Sequence, residues 1–150
     1  MTFRLIAENR KARFNYEIIE KIEAGIVLQG TEVKSIRAGK MTLADSYAVV
    51  NREELYWLNG QIAHYEHGNI HNHEPFRSRK LLLRHKEISR LIGLVKEKGL
   101  SIIPLRAYWK GSKVKLELGI AKGKKLYDKR ATTKERDWQR EKQRILKTNH

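Results

Sequence analysis

Positive charge is concentrated at the C-terminal end of the chain. Residues 122–147 hold eleven Lys and Arg against four acidic residues, whereas the remaining residues hold 21 basic and 13 acidic ones. About half of the formal net charge of +15 therefore lies in the last sixth of the 150 residues. This segment has too few large apolar side chains to be held firmly against a folded domain. The chain is therefore predicted to form one domain, residues 1–125, followed by a basic tail, residues 126–150.

Charge and composition also narrow the class of partner. A net charge of +15 predicts binding to nucleic acid or to an anionic membrane. Membrane binding is disfavoured, because no apolar run approaches the roughly 20 residues that a span needs and the tail lacks a continuous apolar face. Residues 1–13 show no secretory signal. The lack of cysteine excludes disulfides, thiolate metal sites and cysteine nucleophiles, and it fits a cytoplasmic protein.

Alternating apolar and polar residues, rich in β-branched side chains, predict six strands. Short polar turns such as Asn59-Gly60 separate them. Within the first strand, Gly25 is expected to form a bulge or a sharp bend. Residues 2–13 are expected to be extended. The predicted strands are 16–28, 45–50, 55–58, 61–65, 100–108 and 114–120.

Two helices are predicted between the strands. The longer helix runs from His85 to Lys98, with apolar residues at i, i+3, i+4 and i+7, and Gly99 is placed to end it. The shorter helix runs from Gly30 to Gly39, with Thr31 as the expected N-cap and Glu32 in its first turn.

These elements predict a mainly β fold, a small antiparallel OB-like barrel with accessory helices. Val33 and Ile36 form the apolar face of the shorter helix, which is expected to close one end of the barrel. Lys34 and Arg37 then lie on a basic face that is available to a phosphate, although a solvated pair is the alternative. Periodicity alone does not separate an OB-like barrel from another small barrel or a sandwich.

The basic tail contains one local helix signal. Thr132 and Glu135 match a capping box, so a helix is possible from residue 133 to about residue 147. Its large apolar residues are Trp138, Ile145 and Leu146, and an isolated helix of this length is marginal in water. The tail is therefore predicted to be disordered in the free protein and helical when bound.

Little in the sequence indicates catalysis or metal binding. His64, His67, His71 and His73 lie close together, but their spacing matches no standard zinc site, so a His-rich loop is favoured over a metal site. The serines lie in no nucleophile-elbow or Ser-x-x-Lys context. No Gly-rich phosphate loop and no acidic cluster suited to two-metal chemistry is present. We therefore expect no enzyme, no catalytic residue, no bound metal and no cofactor.

Nucleic-acid binding is better supported. Basic segments at 10–13, 34–40, 77–84 and 122–130 are interleaved with aromatic residues. Basic side chains that contact phosphates and aromatic faces that stack on bases are typical of RNA binding. For aromatic residues on predicted strands, burial in the core is favoured over stacking on bases. These residues are Tyr47, Tyr56, Trp57 and Tyr108.

Eight strings of the sequence carry a family resemblance. Together they closely resemble the small protein B (SmpB) family, the SsrA-binding proteins of bacteria, in collinear order from about residue 6 to the C-terminus. The strings EVKSIRAGK and GxAKGKKxxDKR are long and specific, so the resemblance is not a chance match. In order, the strings are IAENRKAR (6–13), EAGIVLQG (23–30), EVKSIRAGK (32–40), DSY (45–47), RKLLL (79–83), YWK (108–110), GIAKGKK (119–125) and DKR (128–130).

The resemblance implies both a fold and a function. Members of this family have an oligonucleotide-binding-type barrel with accessory helices. They bind the tRNA-like domain of transfer-messenger RNA (tmRNA, or SsrA RNA) and deliver it to stalled ribosomes for trans-translation. The protein takes the place of the missing anticodon arm, and its C-terminal tail becomes helical in the empty mRNA channel. Peptide transfer belongs to the ribosome, so the resemblance implies no catalysis by the protein.

The resemblance also implies three groups of site residues. Contacts to the tRNA-like domain are expected from Glu23, Lys34, Arg37, Lys40, Leu82, Lys122, Lys124 and Lys125. The decoding centre, in the ribosomal RNA of the small subunit, is expected to face Asn9, Lys11, Arg13 and Phe14. The channel-probing tail would comprise Asp128, Lys129, Arg130, Lys134, Arg136, Trp138, Ile145, Leu146 and Lys147.

Two of these positions need a physical explanation. Phe14 stands where many family members have His, which preserves stacking but puts a proton or hydrogen-bond role in doubt. Glu23 is unusual because a carboxylate repels phosphate. It would have to accept a hydrogen bond from a base amino group or orient a basic neighbour such as Arg37, and an ordinary exposed strand carboxylate is the alternative. The chain is expected to act as a monomer. The competing hypothesis is a general RNA-binding barrel protein of the ribosome or the translation machinery.

Overall fold

Nine strands and three helices make up the part of the chain that the computed structural model describes, residues 3–67 and 72–123. The helices are α1 (Arg10–Asn15), α2 (Gly30–Arg37) and α3 (His85–Lys98). The strands are β1 (Phe3–Glu8), β2 (Tyr16–Ile26), β3 (Met41–Thr42), β4 (Tyr47–Asn51), β5 (Glu54–Leu58), β6 (Gln61–Ile62), β7 (Arg79–Leu82), β8 (Ser101–Lys110) and β9 (Lys113–Gly123).

Six antiparallel strands close into a barrel. Their order is β8, β4, β5, β7, β2 and β9, and β9 pairs again with β8 to complete the ring. The contact between β4 and β8 is short, since Ala48 pairs with Ile102 near the start of β8. The remaining length of that edge of β8 pairs with β1. The long strand β8 therefore joins the barrel to the N-terminal segment.

The main core fills the inside of this barrel. Alternate residues of β9 point inward, so Leu116, Leu118 and Ile120 are almost completely buried, together with Trp57 of β5. The helix α2 adds Ile36 to the same cluster. At roughly 1.5–3 kcal/mol for each large apolar side chain removed from water, this cluster is the main stabilising element of the fold.

A second, smaller core lies beneath α1. Ala12 of this helix packs with Ile103, Leu105 and Ala121 on the strands β8 and β9. Asn9 fixes the start of the helix, because its Oδ1 accepts from the Ala12 amide at 3.3 Å and its Nδ2 donates to the Pro104 carbonyl at 3.0 Å.

The predicted fold class, a small antiparallel OB-like barrel with accessory helices, is confirmed. The bounds predicted for α3 agree with the structure, and Gly99 ends this helix with a φ of +62°. The hairpin of β8 and β9 is also as predicted, although both strands are longer. None of the helices in the described residues combines the length and apolar character needed to cross a membrane.

Several local predictions are wrong. The extended conformation expected for residues 2–13 is present in β1, but residues 10–13 belong to α1, whose Ala12 packs on Ile103 and Leu105, more than 90 residues away in sequence. The predicted strand 61–65 is limited to Gln61–Ile62, which pairs with β3 instead of forming a hairpin across Asn59-Gly60. The strands β1, β3 and β7 were not predicted, because their apolar pattern is short or interrupted by basic residues.

The details of the first predicted strand and helix also differ. The irregularity in β2 lies between Ile18 and Glu20, whereas Gly25 pairs regularly on both edges. The N-cap of α2 is Gln29 and not Thr31, since the main-chain amide of Gln29 donates to Glu32 in a capping box.

The aromatic residues on strands divide between core and surface. Trp57 and Tyr108 are buried, as predicted. Tyr47 is 43% exposed, so its predicted burial is wrong, and Tyr56 is half-buried with its hydroxyl bonded to Glu54 at 2.7 Å. The boundary at residue 125 and the predicted behaviour of the tail fall outside the described residues.

Candidate nucleic-acid interface

The outer face of β2, β9 and β8 carries a connected set of polar and charged side chains. Glu23 of β2 pairs with Glu117 of β9, so both carboxylates point away from the barrel core. The Glu23 carboxylate accepts hydrogen bonds from the Tyr108 hydroxyl and from Lys110 Nζ, the latter at 3.2 Å. Glu117 accepts from Arg106 Nε at 3.3 Å and from Arg106 Nη2 at 2.7 Å. We call these five residues the outer-face network.

The protonation states of this network follow from its contacts. The Tyr108 hydroxyl lowers the pKa of Glu23 and outweighs the opposing effect of burial, and Lys110 and Lys115 lower it further. Burial raises the pKa of Tyr108, and the Glu23 charge raises it again. At neutral pH, Glu23 is therefore a carboxylate that accepts from a protonated phenol. The basic partner of Glu23 is Lys110, so the suggestion that Glu23 orients Arg37 is wrong.

Leu82 extends the same face toward β7. It is 51% exposed and pairs directly with Gly25, two residues beyond Glu23. A Cβ atom added at Gly25 would lie 3.3 Å from Leu82 Cβ and 3.6 Å from Lys115 Nζ. The glycine therefore leaves room for these two side chains to cross the strand. Glu23 and Leu82 therefore lie close together on neighbouring strands of the same face.

The helix α2 presents the predicted basic residues. Lys34 and Arg37 are exposed, and Lys34 Nζ lies 5.5 Å from the centre of the Tyr65 ring. Lys40 follows the helix and forms an ion pair with Glu66 at 2.7 Å. Its exposed position leaves this ion pair weak, so a phosphate can compete for the ammonium group.

A buried ion-pair network fixes the position of α2. Glu32, in the first turn of the helix, is fully buried and bonds Arg79, which is also fully buried, and Arg77 at 2.6 Å. Arg79 also donates to the Gly60 carbonyl at 3.0 Å. Burial raises the pKa of Glu32, but the bonds from Arg77, Gln29 and Arg79 outweigh it and hold this pKa below its ordinary value of 4.5. We call Glu32, Arg77 and Arg79 the α2 anchor.

The residues proposed to face the decoding centre lie on and beside α1. Lys11 and Arg13 are exposed, and Lys11 Nζ lies 4.0 Å from Asp45 Oδ2. Asn9 is 5% exposed and its amide is used inside the protein, so it positions the helix that carries the two basic residues. Phe14 is partly buried. A cleft of about 950 Å³ lies beside this region and is bounded by α1, β4 and α3.

Lys122 belongs with this end of the molecule and not with Glu23. It pairs with Glu17 near the start of β2, whereas Glu23 pairs with Glu117 in the middle of β9. The predicted contacts Glu23 and Lys122 therefore lie well apart along one long strand pair. The other predicted contacts lie outside the described residues: Lys124, Lys125 and the tail positions Asp128, Lys129, Arg130, Lys134, Arg136, Trp138, Ile145, Leu146 and Lys147.

The basic and phenolic partners of Glu23 and Glu117 are not among the predicted site residues. Arg106, Tyr108 and Lys110 alternate along β8, and this spacing places them on one face of a strand. That alternation was the available signal, although it does not reveal which carboxylates lie opposite.

The histidine cluster is partly explained by internal contacts. His73 is buried, with Nε2 2.8 Å from the Ile62 carbonyl oxygen and Nδ1 2.9 Å from Thr31 Oγ1. Because a carbonyl only accepts, Nε2 carries the proton. Across residues 3–67 and 72–123, no group of three or more His, Cys, Asp or Glu side chains is placed to hold a metal ion. His71 lies outside these residues.

Comparison with known proteins gives the family. The family model described as SmpB protein matches residues 6–148. The chain belongs to the SmpB family. The resemblance of the eight sequence strings is therefore confirmed.

Individual members of the SmpB family are similar in sequence to this protein over almost the whole chain. An SsrA-binding protein of Acetivibrio thermocellus is 58% identical over 146 residues, covering 97% of this chain and 95% of the relative. One from Carboxydothermus hydrogenoformans is 53% identical over 147 residues, covering 98% and 99%. A solved structure described as "tmRNA-SmpB: a journey to the center of the bacterial ribosome" contains a chain with 51% identity and a TM-score of 0.66, covering 79% of this chain and 84% of that one.

The Tyr108 hydroxyl bond gives a direct test of the outer-face network. Replacing Tyr108 by Phe is expected to raise the pKa of Glu23 toward its ordinary value of 4.5, because the main lowering contact is lost. NMR titration of the Glu23 carboxyl carbon measures this. Tyr56→Phe is the matched control, since the Tyr56 hydroxyl donates to Glu54 and not to Glu23. An unchanged Glu23 titration in Tyr108→Phe would contradict the assigned network.

Proposed function

We propose that this protein binds the tRNA-like domain of tmRNA and delivers it to stalled ribosomes for trans-translation. The match to the SmpB family over residues 6–148 carries this proposal. The relatives are described as SsrA-binding proteins, and the solved structural neighbour is described as tmRNA-SmpB of the bacterial ribosome. The protein acts as a binding adaptor without catalysis of its own and without a cofactor. It works as a monomer in the cytoplasm.

The surface of the barrel supplies the RNA contacts in this proposal. Lys34 and Arg37 approach phosphates from α2, which the α2 anchor holds against the barrel, and Lys40 does so from the segment that follows the helix. Glu23 and Leu82 contact nucleotides from the outer face. An ionised carboxylate held by Tyr108 and Lys110 can accept a hydrogen bond from a base amino group, while Lys110 offsets its repulsion of nearby phosphates.

A second group of residues faces the ribosome. Lys11 and Arg13 on α1 contact the ribosomal RNA of the small subunit at the decoding centre, and Asn9 fixes their helix. Phe14 supplies an aromatic ring there. Lys122 at this end of β9, together with Lys124 and Lys125, contacts the tRNA-like domain. The basic tail, residues 126–150, probes the empty mRNA channel.

Truncation after Arg130 tests this division of labour. The truncated protein is expected to keep its affinity for the isolated tRNA-like domain within about threefold, because that RNA contacts the barrel. Tagging of nascent chains on stalled ribosomes in a reconstituted translation system is expected to be lost. The measurement pairs a binding titration with the yield of tagged peptide.

The matched control is the full-length double variant Lys34→Ala/Arg37→Ala. It is expected to weaken binding of the tRNA-like domain by about tenfold or more at 100 mM salt, because two phosphate contacts are removed. A large loss of RNA affinity in the truncated protein would contradict the assignment of the tail to the mRNA channel. Sequencing of RNA captured with the full-length protein tests the wider proposal, and a broad set of RNAs without tmRNA enrichment would favour a general RNA-binding protein.

A further inference from the structure

An exposed aromatic ring lies beside the outer-face network at the start of β1. Phe3 pairs with Lys110 on the edge of β8 opposite β9, which carries this ring to the same face as Glu23. The Phe3 side chain is 51% exposed. A single exposed apolar residue is ordinary in a folded protein. The contacts and charges around the Phe3 ring are therefore what indicate a role in binding.

The ring is held from two directions. Its centre lies 4.3 Å from that of the Tyr108 ring, with an angle of 33° between the ring planes. The guanidinium carbon of Arg106 lies 5.8 Å from the centre of the Phe3 ring. Both neighbours are themselves fixed, because Tyr108 bonds Glu23 and Arg106 bonds Glu117 through two nitrogens. An aromatic ring on fixed supports loses little conformational freedom when a ligand stacks on it.

The charge around the ring matches an RNA ligand. Lys110 is cross-strand from Phe3, and its side chain is 40% exposed, so its ammonium group can reach a phosphate while it bonds Glu23. Lys113 pairs with Lys110 at the end of β8 and adds positive charge on the same face. Proteins that bind unpaired nucleotides combine aromatic faces for the bases with basic side chains for the backbone.

We propose that Phe3 is a base-stacking site for an unpaired nucleobase of the bound RNA, with Lys110 contacting the phosphate of the same nucleotide. The Phe3 ring, supported by Tyr108 and Arg106, extends the RNA-binding surface from the barrel onto β1. This inference rests on the proposed function, since it assigns one more contact to the same RNA.

The test compares three variants of the full-length protein at Phe3. Phe3→Leu keeps an apolar side chain against Tyr108 but removes the aromatic face, and Phe3→Ala removes both. Each is expected to weaken binding of the isolated tRNA-like domain of tmRNA about tenfold, as loss of one base stack requires. Phe3→Trp is expected to retain affinity within about twofold.

Phe76→Ala is the matched control, because Phe76 is 52% exposed and lies in the loop before β7. It is expected to bind RNA like the unmodified protein, and thermal unfolding is measured for every variant. Phe3→Leu binding as tightly as Phe3→Trp, or a loss no larger than that of Phe76→Ala, would overturn the stacking site. If the unmodified protein does not bind the tRNA-like domain, the proposed function itself fails. If that protein binds and the Phe3 variants are unaffected, only this inference fails.

Discussion

Replacing Glu32 by Gln is expected to lower the free energy of unfolding by about 3–5 kcal/mol. The substitution keeps the size of the side chain but removes the only negative charge that contacts Arg79 among the described residues. Arg79 is fully buried, so its charge would then be left with main-chain carbonyl groups as acceptors. The cost arises from this uncompensated charge, and chemical denaturation measures it.

The matched control for this substitution is Glu54→Gln. Glu54 also forms an ion pair, with Lys80 at 3.0 Å, but both side chains are more than 40% exposed. Solvent screens an exposed pair of this kind, so the control is expected to remain close to the original stability. Equal losses in the two variants would contradict the role of burial in the α2 anchor.

The same anchor makes stability depend on pH. The pKa of Glu32 is lower in the folded protein than its ordinary value of 4.5. A carboxyl group of this kind stabilises the fold above its unfolded pKa, and that contribution is lost as the pH falls from about 4.5 through the lower folded pKa. The loss attributable to Glu32 is expected to be absent from Glu32→Gln, which has no carboxylate to protonate at this position.

Substitution of Gly60 by Ala is expected to destabilise the protein by about 2–3 kcal/mol. A Cβ atom at Gly60 would overlap with Cζ2, Cε2 and Cη2 of the Trp57 ring. Trp57 is fully buried in the barrel core and lies 5.2 Å from the Arg79 guanidinium carbon, so the ring has little room to move. The Gly60 carbonyl also accepts from Arg79, which couples this site to the α2 anchor.

Gly93→Ala supplies the control for Gly60→Ala in thermal or chemical unfolding. Gly93 lies inside α3, and an added Cβ there meets no atom within 4 Å. Because Ala favours the helix over Gly, this variant is expected to gain about 0.5–1 kcal/mol. A Gly60→Ala protein that is as stable as the original would show that Trp57 can repack, in contradiction of the expected clash.

Loss of the α2 anchor is also expected to affect RNA binding. The α2 anchor fixes the helix that carries Lys34 and Arg37, although neither Glu32 nor Arg79 is exposed. A protein that loses the anchor but stays folded at low temperature is therefore expected to lose RNA affinity as well. The basic face works as a unit only while α2 is held in place.

Elements with strong local signals could be predicted well from the sequence. The helix α3 has an uninterrupted apolar period and a glycine at its end, and both determine its bounds without help from distant residues. The hairpin of β8 and β9 is likewise encoded by neighbouring segments and a short turn. By contrast, β1 depends on pairing with β8, and α1 depends on packing against Leu105 and Ala121, which a local pattern does not reveal.

The sequence by itself determined the family, the mainly β class, the concentration of positive charge in the last sixth of the chain, and the residue types suited to RNA. Only the tertiary structure decided which side chains meet. Strand register brought Tyr108 and Lys110 to Glu23, placed Lys122 farther along the same strand pair, and buried Asn9 at the start of its helix. Composition and motifs are properties of single segments, whereas these contacts join residues more than 80 positions apart, and the pairing of the strands sets them.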